Sequence, residues 1–459
     1  MQAHGSRPSR RSPTALGAGW RADLVVVAAA VGLVVAAAVV GRRLLAEGVD
    51  LTLPFPPLLA QWLPHLGPGT PLALVVAAVV VTRGPGLAER MAWRPLVAVV
   101  WAATTAWTLG LALVDGWQRG VVDRLTSADE YLHDVPRAPA LSLLLREFAA
   151  HILTSAVDPG QKWFWTTHVG AHPPGAFLVF VVLDRIGLGG GGPAGLLVIA
   201  IGASGAAAIL VAARALGSET VARRAAPYAV LFPGAVWVGV SADGLFAGWL
   251  AWGIALLAIA VRSTGRRAGV AALAGGLLLG GVVYLSYGLV LGGLLAVAVL
   301  VHGRVAPTQG GRWWWTVGFA ATGAALVVAA FTLAGFSWVD GYSKVRVIYA
   351  ASIAAARPYS YFVWANLAAV VCAIGPAGIA GLRRIATRPV GPYLVVAAAV
   401  AAMLVADLSG MSKAEVERIW LPFSIWTCLA CAELPHPRRW LAAQAVLALL
   451  VNHLLLTVW

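Results

Sequence analysis

Apolar runs long enough to cross a bilayer recur along almost the whole of this 459-residue chain. A membrane-spanning helix needs about 20 predominantly apolar residues, and only helices or closed barrels satisfy their backbone polar groups within lipid. With 60% hydrophobic and 11% charged residues, the sequence predicts an all-α, polytopic transmembrane helical bundle. We expect a single transmembrane domain over residues 22–459, preceded by a polar N-terminal tail at residues 1–21.

The bundle is expected to contain about 11–14 spans, because several apolar segments are short and rich in glycine. The first of these segments is too long for a signal-peptide core and lacks a small-residue cleavage site, which indicates an uncleaved span. The thirteen candidate spans are residues 22–41, 69–83, 95–114, 193–212, 225–240, 244–261, 268–285, 287–302, 315–336, 361–381, 391–407, 418–434 and 440–459.

Arginines between the apolar segments indicate the orientation, because cytoplasmic loops carry an excess of Lys and Arg. Arg7, Arg10 and Arg11 place the N-terminus in the cytoplasm, and later basic clusters alternate with the spans, except for Arg42 and Arg43. We therefore expect a multi-pass plasma-membrane protein with its functional site on the external face. The polar stretches expected outside are residues 115–174, 241–243, 337–360 and 408–418.

Residues 175–188 are apolar but short, carry Asp184-Arg185, and are followed by glycines and Pro193. Such a segment is too short for a full span, so it predicts a juxtamembrane or re-entrant helix. Non-helical backbone at membrane depth is tolerated where it lines a polar cavity.

The formal charge of +14 does not indicate a nucleic-acid partner. The basic residues lie in short runs between apolar segments, where they set topology and meet membrane lipids. Cys428 and Cys431 lie inside an apolar segment predicted to be helical, and the third cysteine, Cys372, lies in another apolar segment. We therefore interpret all three as packing residues rather than metal ligands.

The external loop 115–174 contains the candidate catalytic carboxylates Asp129, Glu130 and Asp115. A carboxylate near the membrane interface can act as a general base for a hydroxyl group. The alternatives are a solvated loop acid or, for Asp129, a helix cap.

His168 and His172 are four residues apart, which on a helix would suit a metal ion. Pro173 and Pro174 argue against a helix here, so we predict that the two histidines hydrogen-bond a phosphate or a sugar. The Pro-Pro-Gly sequence alternatively only turns the chain into the membrane. No cofactor is predicted, and a divalent metal is possible without being indicated by the sequence.

A second charged segment contains the candidate substrate-binding residues Lys413, Glu415, Glu417 and Arg418. The guanidinium of Arg418 can pair with both oxygens of a phosphate, with Glu415 or Glu417 orienting it. The alternative is a surface ion pair at the membrane interface. Arg357 adds a cation to the external loop 337–360, as do Lys344 and Arg346.

Asp129-Glu130-Tyr131, a following surface helix and His172-Pro173-Pro174-Gly175 resemble the first external loop of the GT-C superfamily of membrane glycosyltransferases. Protein O-mannosyltransferases and aminoarabinose transferases show a similar pattern over about the first half of the chain. Integral membrane proteins of high-GC bacteria carry strings similar to Thr167–Gly175 and Glu415–Trp420, and with them the resemblance covers most of the chain.

The resemblance implies inverting transfer of a sugar from a polyprenyl-phosphate-linked lipid donor to an acceptor outside the cytoplasm. The acceptor would be an envelope glycan, lipid or protein, and the reaction would serve cell-envelope assembly. The resemblance implies an external-loop acid as the base, for which Asp129 and Glu130 match, and a late basic residue on the lipid phosphate, for which Arg418 matches. The rival hypothesis is a transporter or flippase for an amphipathic anion, which would place ionisable groups near the membrane midplane.

Overall fold

The computed structural model describes residues 13–305 and 313–459. The described residues are 78% helical, which confirms the predicted all-α class. Arg7, Arg10 and Arg11, on which the predicted orientation of the N-terminus rests, lie outside the described residues. In the described part of the chain the α-helices are α1 Pro13–Ala46, α2 Thr70–Arg90, α3 Trp93–Ala112, α4 Tyr131–Asp134, α5 Leu141–Glu147, α6 Thr167–Gly170, α7 Pro174–Leu183, α8 Gly191–Ala215, α9 Glu219–Val230, α10 Ala235–Val238, α11 Ala242–Arg262, α12 Gly265–Leu285, α13 Gly292–Val305, α14 Trp313–Leu333, α15 Trp338–Ala350, α16 Ile353–Ala356, α17 Tyr359–Ile385, α18 Pro392–Leu408, α19 Val416–Ile419, α20 Leu421–Ser424 and α21 Pro437–Leu454.

Shorter elements complete the described structure. Two strands, β1 Ala60–Trp62 and β2 Leu455–Thr457, pair antiparallel with Ala60 opposite Thr457. The 3-10 and π-helical segments are Leu113–Asp115, Gln118–Val122, Asp123–Leu125, Val135–Arg137, Phe148–His151, Asp184–Leu188, Tyr287–Leu291 and Ile425–Glu433.

Nine of the thirteen predicted spans are helices long and apolar enough to cross a membrane, counted over the described residues. The predicted spans 391–407 and 418–434 correspond to shorter apolar helical segments, Pro392–Leu408 and Leu421–Glu433. The predicted span 225–240 is not one helix, because α9 ends before Pro233-Gly234 and a single turn, α10, follows. Within the predicted span 440–459, α21 ends at Leu454 and β2 follows from Leu455.

Helices α8 and α11 form the centre of the bundle. In their most apolar stretches, 67% and 78% of the residues are buried. Their contact is close because small residues face each other, as is usual between membrane helices. A Cβ atom on Gly248 would lie 2.0 Å from the carbonyl oxygen of Ile201, so only glycine fits there. Helices α1 and α14 are only 11% buried and lie at the periphery of the bundle.

Polar clusters occupy the two ends of the bundle. One end, here called the loop end, carries residues 113–173, the two-stranded sheet and the segment 409–420. The other, here called the arginine end, carries the end of α17, where Arg383 and Arg384 pair with the fully buried Asp23 of α1. Helix α17 runs from one end to the other.

The segment 175–188 forms α7 and a π-helical turn, Asp184–Leu188. The 10 residues of α7 extend about 15 Å, roughly half the thickness of a bilayer core. The segment is therefore too short for a straight span, and its re-entrant position stays a prediction.

Candidate functional site

A cavity of about 600 Å³ opens at the loop end of the bundle. Five residues predicted from the sequence line it: Asp129, Glu130, His168, Arg357 and Glu415. The loop 115–174 and the segment 409–420, distant in sequence, therefore meet at one site. Asp123 and Thr167 of the same loop also line the cavity. The other lining residues, which sequence reasoning did not single out, are Thr52, Leu59, Arg119, Arg124, Ser127, Val458 and Trp459.

Asp129 is the most accessible of the three candidate carboxylates. Its Oδ1 accepts a hydrogen bond from the hydroxyl of Thr167 at 2.8 Å, while its side chain is exposed to the cavity. Among the described residues, its Oδ2 accepts no hydrogen bond. Helix α4 begins after Glu130 without a side-chain cap, so the alternative that Asp129 caps a helix is wrong.

Glu130 is held more tightly than its neighbour. The residue is 3% exposed, and its Oε1 accepts a hydrogen bond from the indole Nε1 of Trp459 at 2.9 Å. His168 Nδ1 lies 3.5 Å from the same oxygen. Glu130 therefore contributes charge to the wall of the cavity and is less free to approach a substrate than Asp129.

His168 connects the two chain segments, and its hydrogen bonds define its tautomer. Its Nδ1–H donates to the backbone oxygen of Asp129 at 2.8 Å, since a carbonyl can only accept. Its Nε2 accepts from Nη2 of Arg418 at 2.9 Å, because a guanidinium can only donate. The geometry therefore requires a neutral imidazole that fixes Asp129 relative to Arg418.

Arg418 is the centre of a buried ion-pair network rather than an open guanidinium. Its Nη1 donates to Asp243 at 2.5 Å and its Nη2 donates to Glu415 at 2.8 Å. Its guanidinium carbon lies 3.7 Å from the ring centre of Trp459. The residue is 6% exposed, so the alternative of a surface ion pair at the interface is wrong. Phosphate binding by Arg418 stays a prediction, and both terminal nitrogens already have protein acceptors.

Glu415 lines the cavity from a strained backbone. Its φ of 61° lies in the left-handed region, as does that of Ala414 at 71°. Such conformations persist in non-glycine residues where surrounding contacts impose them, often at functional sites. Burial alone would raise the pKa of Glu415, but the hydrogen bond and charge of Arg418, with Arg357, hold this pKa below its ordinary value.

Lys413 and Glu417 are not among the residues that line the cavity. Lys413 Nζ donates to the carbonyl oxygens of Ala355 and Arg357, at 2.9 and 3.0 Å, and so fastens the segment to the preceding loop. Glu417 is 2% exposed and accepts a 3.4 Å hydrogen bond from the amide of Leu59. Burial raises the pKa of Glu417 to about 7. Both residues hold the wall of the cavity from behind.

His172 also lies behind the cavity. Its Nδ1–H donates to the backbone oxygen of His168 at 2.7 Å. Burial, with a contribution from His168, lowers the pKa of His172 to about 4, so the ring is neutral at ordinary pH. The contact supports His168 and starts the turn into α7 at Pro173-Pro174.

Asp115 belongs to a separate ion cluster at the edge of the cavity. Its Oδ1 accepts from His65 Nε2 at 2.8 Å and from Arg119 Nη2 at 2.6 Å. Its Oδ2 accepts from Arg124 Nη2 at 2.5 Å. Three donors already occupy the two oxygens of Asp115, so this carboxylate is less free than Asp129 to contact a substrate, and the geometry favours a structural role.

Three arginines line the cavity, Arg119, Arg124 and Arg357, together with four carboxylates, Asp123, Asp129, Glu130 and Glu415. Arg124 also donates to the backbone oxygen of Thr457, and Arg357 donates to Thr52 and to the carbonyl of Lys413. Arg119 and Arg124 follow Asp115 closely in sequence, and this clustering of charges could have indicated them as residues of the site. Lys344 forms an exposed ion pair with Asp340 on α15 and does not line the cavity.

A second cavity of about 690 Å³ adjoins the first and shares Asp129 and Thr167 with it. This apolar groove lies between the external loop and α15–α16. Its apolar wall comprises Ile152, Trp163, Phe164, Trp165, Val345 and Ile348. Asp129 therefore stands where a charged cavity meets an apolar groove.

The described residues contain no group of three or more His, Cys, Asp or Glu that could hold a metal ion. His168 and His172 do not act as a metal pair here, because the Nε2 of His168 accepts from Arg418 and the Nδ1 of His172 donates to a carbonyl. All three cysteines are buried and unpaired.

Solved structures similar to this chain include the following two. The crystal structure of ArnT from Cupriavidus metallidurans in the apo state has 18% sequence identity and a TM-score of 0.45, covering 73% of this chain and 59% of that one. The oligosaccharyltransferase of Archaeoglobus fulgidus, in complex with zinc and sulfate, has 14% identity and a TM-score of 0.33, covering 69% and 53%. This chain therefore spans less than two thirds of either protein. No protein-family model and no curated protein matches it.

The chain is similar to these two structures, and its resemblance to GT-C glycosyltransferases rests on its sequence motifs. Both identities lie below 20% and both TM-scores below 0.5, so the likeness carries no residue roles or chemistry to this chain. The chain is a polytopic helical membrane protein, and its chemistry must be argued from its own side chains.

Proposed function

We propose that this protein is a membrane glycosyltransferase that moves a sugar from a polyprenyl-phosphate-linked donor to a hydroxyl group of an envelope glycan, lipid or protein. The observation that carries the proposal is the position of Asp129. Its carboxylate has an oxygen without a hydrogen-bond partner among the described residues, and it stands between a charged cavity that contains three arginines and an apolar groove. Such a donor combines the same two chemistries, an anionic phosphate and an apolar chain.

Asp129 is the proposed general base. The acceptor hydroxyl gives its proton to Oδ2 while its oxygen attacks the anomeric carbon, and the bond from that carbon to the phosphate oxygen breaks. The polyprenyl phosphate leaves with the bonding electron pair, and the configuration at the anomeric carbon inverts. Thr167 and His168 fix the orientation of Asp129 through its Oδ1 and its backbone oxygen. Glu130 is the alternative base and is more constrained by Trp459.

The leaving phosphate needs cations, because negative charge develops on it as the glycosidic bond breaks. Arg119, Arg124 and Arg357 line the same cavity as Asp129 and supply them. Arg418 acts through neighbouring residues, because it holds Glu415 and His168 in place. A direct contact between Arg418 and the phosphate is a separate proposal, to be tested by substitution. Glu417, His172 and Lys413 support the cavity wall from outside it.

The rival function is transport of an amphipathic anion across the membrane. The concentration of charged residues at the loop end favours catalysis, since a transporter typically binds its substrate near the membrane midplane. We also propose that the loop end faces outside the cytoplasm, where a lipid-linked donor is the available form of activated sugar. The positive-inside pattern of the sequence supports this orientation.

A deletion strain tests the function with matched complementing variants. We expect deletion to raise the pool of one polyprenyl-phosphate-linked sugar and to remove one sugar linkage from the envelope glycans. Complementation with the parent restores both, and so does Asp158→Asn, which changes an exposed acid of the same loop that does not line the cavity. Asp129→Asn should restore neither.

A transporter predicts a different pattern. The lipid-linked sugar would then accumulate on one side of the membrane, and Asp129→Asn would complement as well as Asp158→Asn. Unchanged donor pools and glycans in the deletion strain would contradict the proposed function.

A further inference from the structure

The arginine end of the bundle contains two adjoining cavities, far from the candidate site. One, of about 450 Å³, lies between the ends of α2, α9 and α17 and the start of α21. The other, of about 580 Å³, lies between the end of α17 and the start of α18. Arg384 and Glu433 line both, so the two cavities form one continuous site.

Each of the two cavities presents three arginines. Arg223, Arg224 and Arg384 line the first, and Arg383, Arg384 and Arg388 line the second. The acids among the lining residues are Glu89 and Glu433. Five arginines therefore face two glutamates in the lining. Behind the lining, Glu219 pairs with Arg223 and also with Arg214, so the site still keeps an excess of positive charge that suits an anion.

The internal partners leave part of this positive charge unused. A single buried carboxylate, Asp23, accepts from both Arg383 and Arg384, so this group of three keeps a net positive charge. Arg384 uses Nε and Nη2 for Asp23. Its Nη1 has no hydrogen-bond partner among the described residues. Arg224 and Arg388 are exposed, and the described residues give their side chains no hydrogen bond or ion pair.

The wall of the first cavity is partly apolar. Pro85, Pro227 and Leu434 stand beside its arginines. The cavities lie at the ends of helices long enough to cross a membrane, where we expect lipid head groups. Basic pockets between membrane helices at this level are suited to phosphate-bearing head groups.

We propose that the arginine end binds a head group that carries two phosphates, one in each cavity, with Arg384 shared between them. A membrane lipid with two phosphodiesters, such as cardiolipin, fits this charge and the apolar wall. A soluble diphosphate shares the two-phosphate chemistry and is the other source of such a ligand. The site is independent of the proposed glycosyl transfer.

The test uses the full chain, purified in detergent, stripped of lipid and titrated with cardiolipin, phosphatidylglycerol or inorganic pyrophosphate while bound ligand is counted by native mass spectrometry. Arg224→Gln combined with Arg388→Gln removes one exposed arginine from each cavity and leaves the Asp23 pairs intact. Arg266→Gln combined with Arg267→Gln is the matched control, because both lie exposed at the same end, at the start of α12, outside the cavities.

We expect the parent to bind cardiolipin at least about tenfold more tightly than phosphatidylglycerol, since the second phosphate meets a second arginine group. The cavity double variant should lose roughly 30-fold in cardiolipin affinity, whereas the control should stay within about twofold. Unchanged thermal unfolding of the double variant would show that it is folded.

Two results would overturn the proposal: equal binding of cardiolipin and phosphatidylglycerol, or equal losses in the cavity and control variants. If pyrophosphate binds with the same dependence on Arg224 and Arg388 and cardiolipin does not, the two-phosphate site stands and its ligand is soluble.

Discussion

Asp115 and Asp129 are carboxylates of the same external loop, 14 positions apart by their numbers, and their surroundings give them opposite roles. Asp115 accepts from His65, Arg119 and Arg124, and its charge is used within the protein. Asp129 accepts from Thr167 alone through its side chain and faces the cavity. The comparison teaches that the partners of a carboxylate, rather than its depth or its place in a motif, decide whether it is available for chemistry.

The largest expected effect comes from replacing the available carboxylate. Asp129→Asn keeps the shape of the side chain and its contact with Thr167 but removes the proton acceptor, so turnover should fall by roughly 10²–10⁴. Donor affinity should change little. The measurement is the rate of sugar transfer at saturating donor, with Asp158→Asn as the control variant. Normal turnover in Asp129→Asn would move the role of base to Glu130, and normal turnover in the double amide variant would exclude both.

Asp115→Asn should give the opposite result, a loss of stability without a loss of chemistry. The change leaves the buried guanidinium of Arg124 without its carboxylate, which typically costs about 3–5 kcal/mol. Unfolding titrations in mixed detergent micelles would measure this loss, and the transfer rate per folded molecule should stay within about threefold of the parent. A stable variant with a collapsed turnover would reverse the comparison and make Asp115 the base.

Glu417 is a third kind of carboxylate in this comparison. It is buried from solvent and has no cation within hydrogen-bonding distance among the described residues. Its folded pKa of about 7 lies above its ordinary value of 4.5, so the folded state holds the proton more tightly than the unfolded state. Its contribution to stability is therefore complete below about pH 4.5 and is lost as the pH rises towards 7, by about 3 kcal/mol.

Glu417→Gln keeps an acceptor for the Leu59 amide and cannot ionise, so it should flatten this pH dependence and be more stable than the parent at pH 8. Unfolding titrations at pH 5 and pH 8 provide the check. Parallel losses of stability in parent and variant between these two pH values would show that another group titrates.

The smallest expected effects separate the two kinds of arginine at the site. Arg119 is 46% exposed in its side chain and lines the cavity, so Arg119→Gln should weaken donor binding about tenfold with a stability change below about 1 kcal/mol. Arg418→Lys keeps the charge, but an ammonium cannot span Asp243 and Glu415, so stability should fall by about 1.5–3 kcal/mol.

Donor affinity measured in both variants decides which arginine meets the phosphate. A loss of roughly ten- to a hundredfold in Arg418→Lys, together with parental affinity in Arg119→Gln, would support the direct phosphate contact predicted for Arg418 from the sequence. The reverse pattern assigns the phosphate to the arginines that line the cavity.

Much of the fold followed from the sequence, because hydropathy alone defines apolar helices in a bilayer. The sequence also indicated that the external loop and the segment 409–420 lie at one end, and the cavity contains Asp129, Glu130, His168 and Glu415 from these two parts. The polar stretch at 241–243, predicted on the same face, supplies Asp243 as a partner of Arg418.

The remaining features depend on contacts between distant segments that no local pattern encodes. Trp459 reaches the site only because the chain continues from α21 into β2, and β2 pairs with β1, nearly 400 residues earlier. His65 joins Asp115 for the same reason, as it follows β1 closely. The sequence likewise could not distinguish Lys413, which fastens the backbone, from a lysine that binds substrate, because both look alike until their acceptors are known.

The most direct test of the central claim is transfer itself, measured with the purified chain in proteoliposomes. A polyprenyl-phosphate-linked sugar labelled in the sugar ring is supplied together with an envelope extract as acceptor. We predict that the label moves into a glycosidic bond with the acceptor, that one polyprenyl phosphate is released for each sugar transferred, and that Asp129→Asn abolishes both while Asp115→Asn does not. Two results would contradict the account. In one, the donor crosses the bilayer with its sugar still attached; in the other, every donor tested, whatever its sugar, stays intact on its original side.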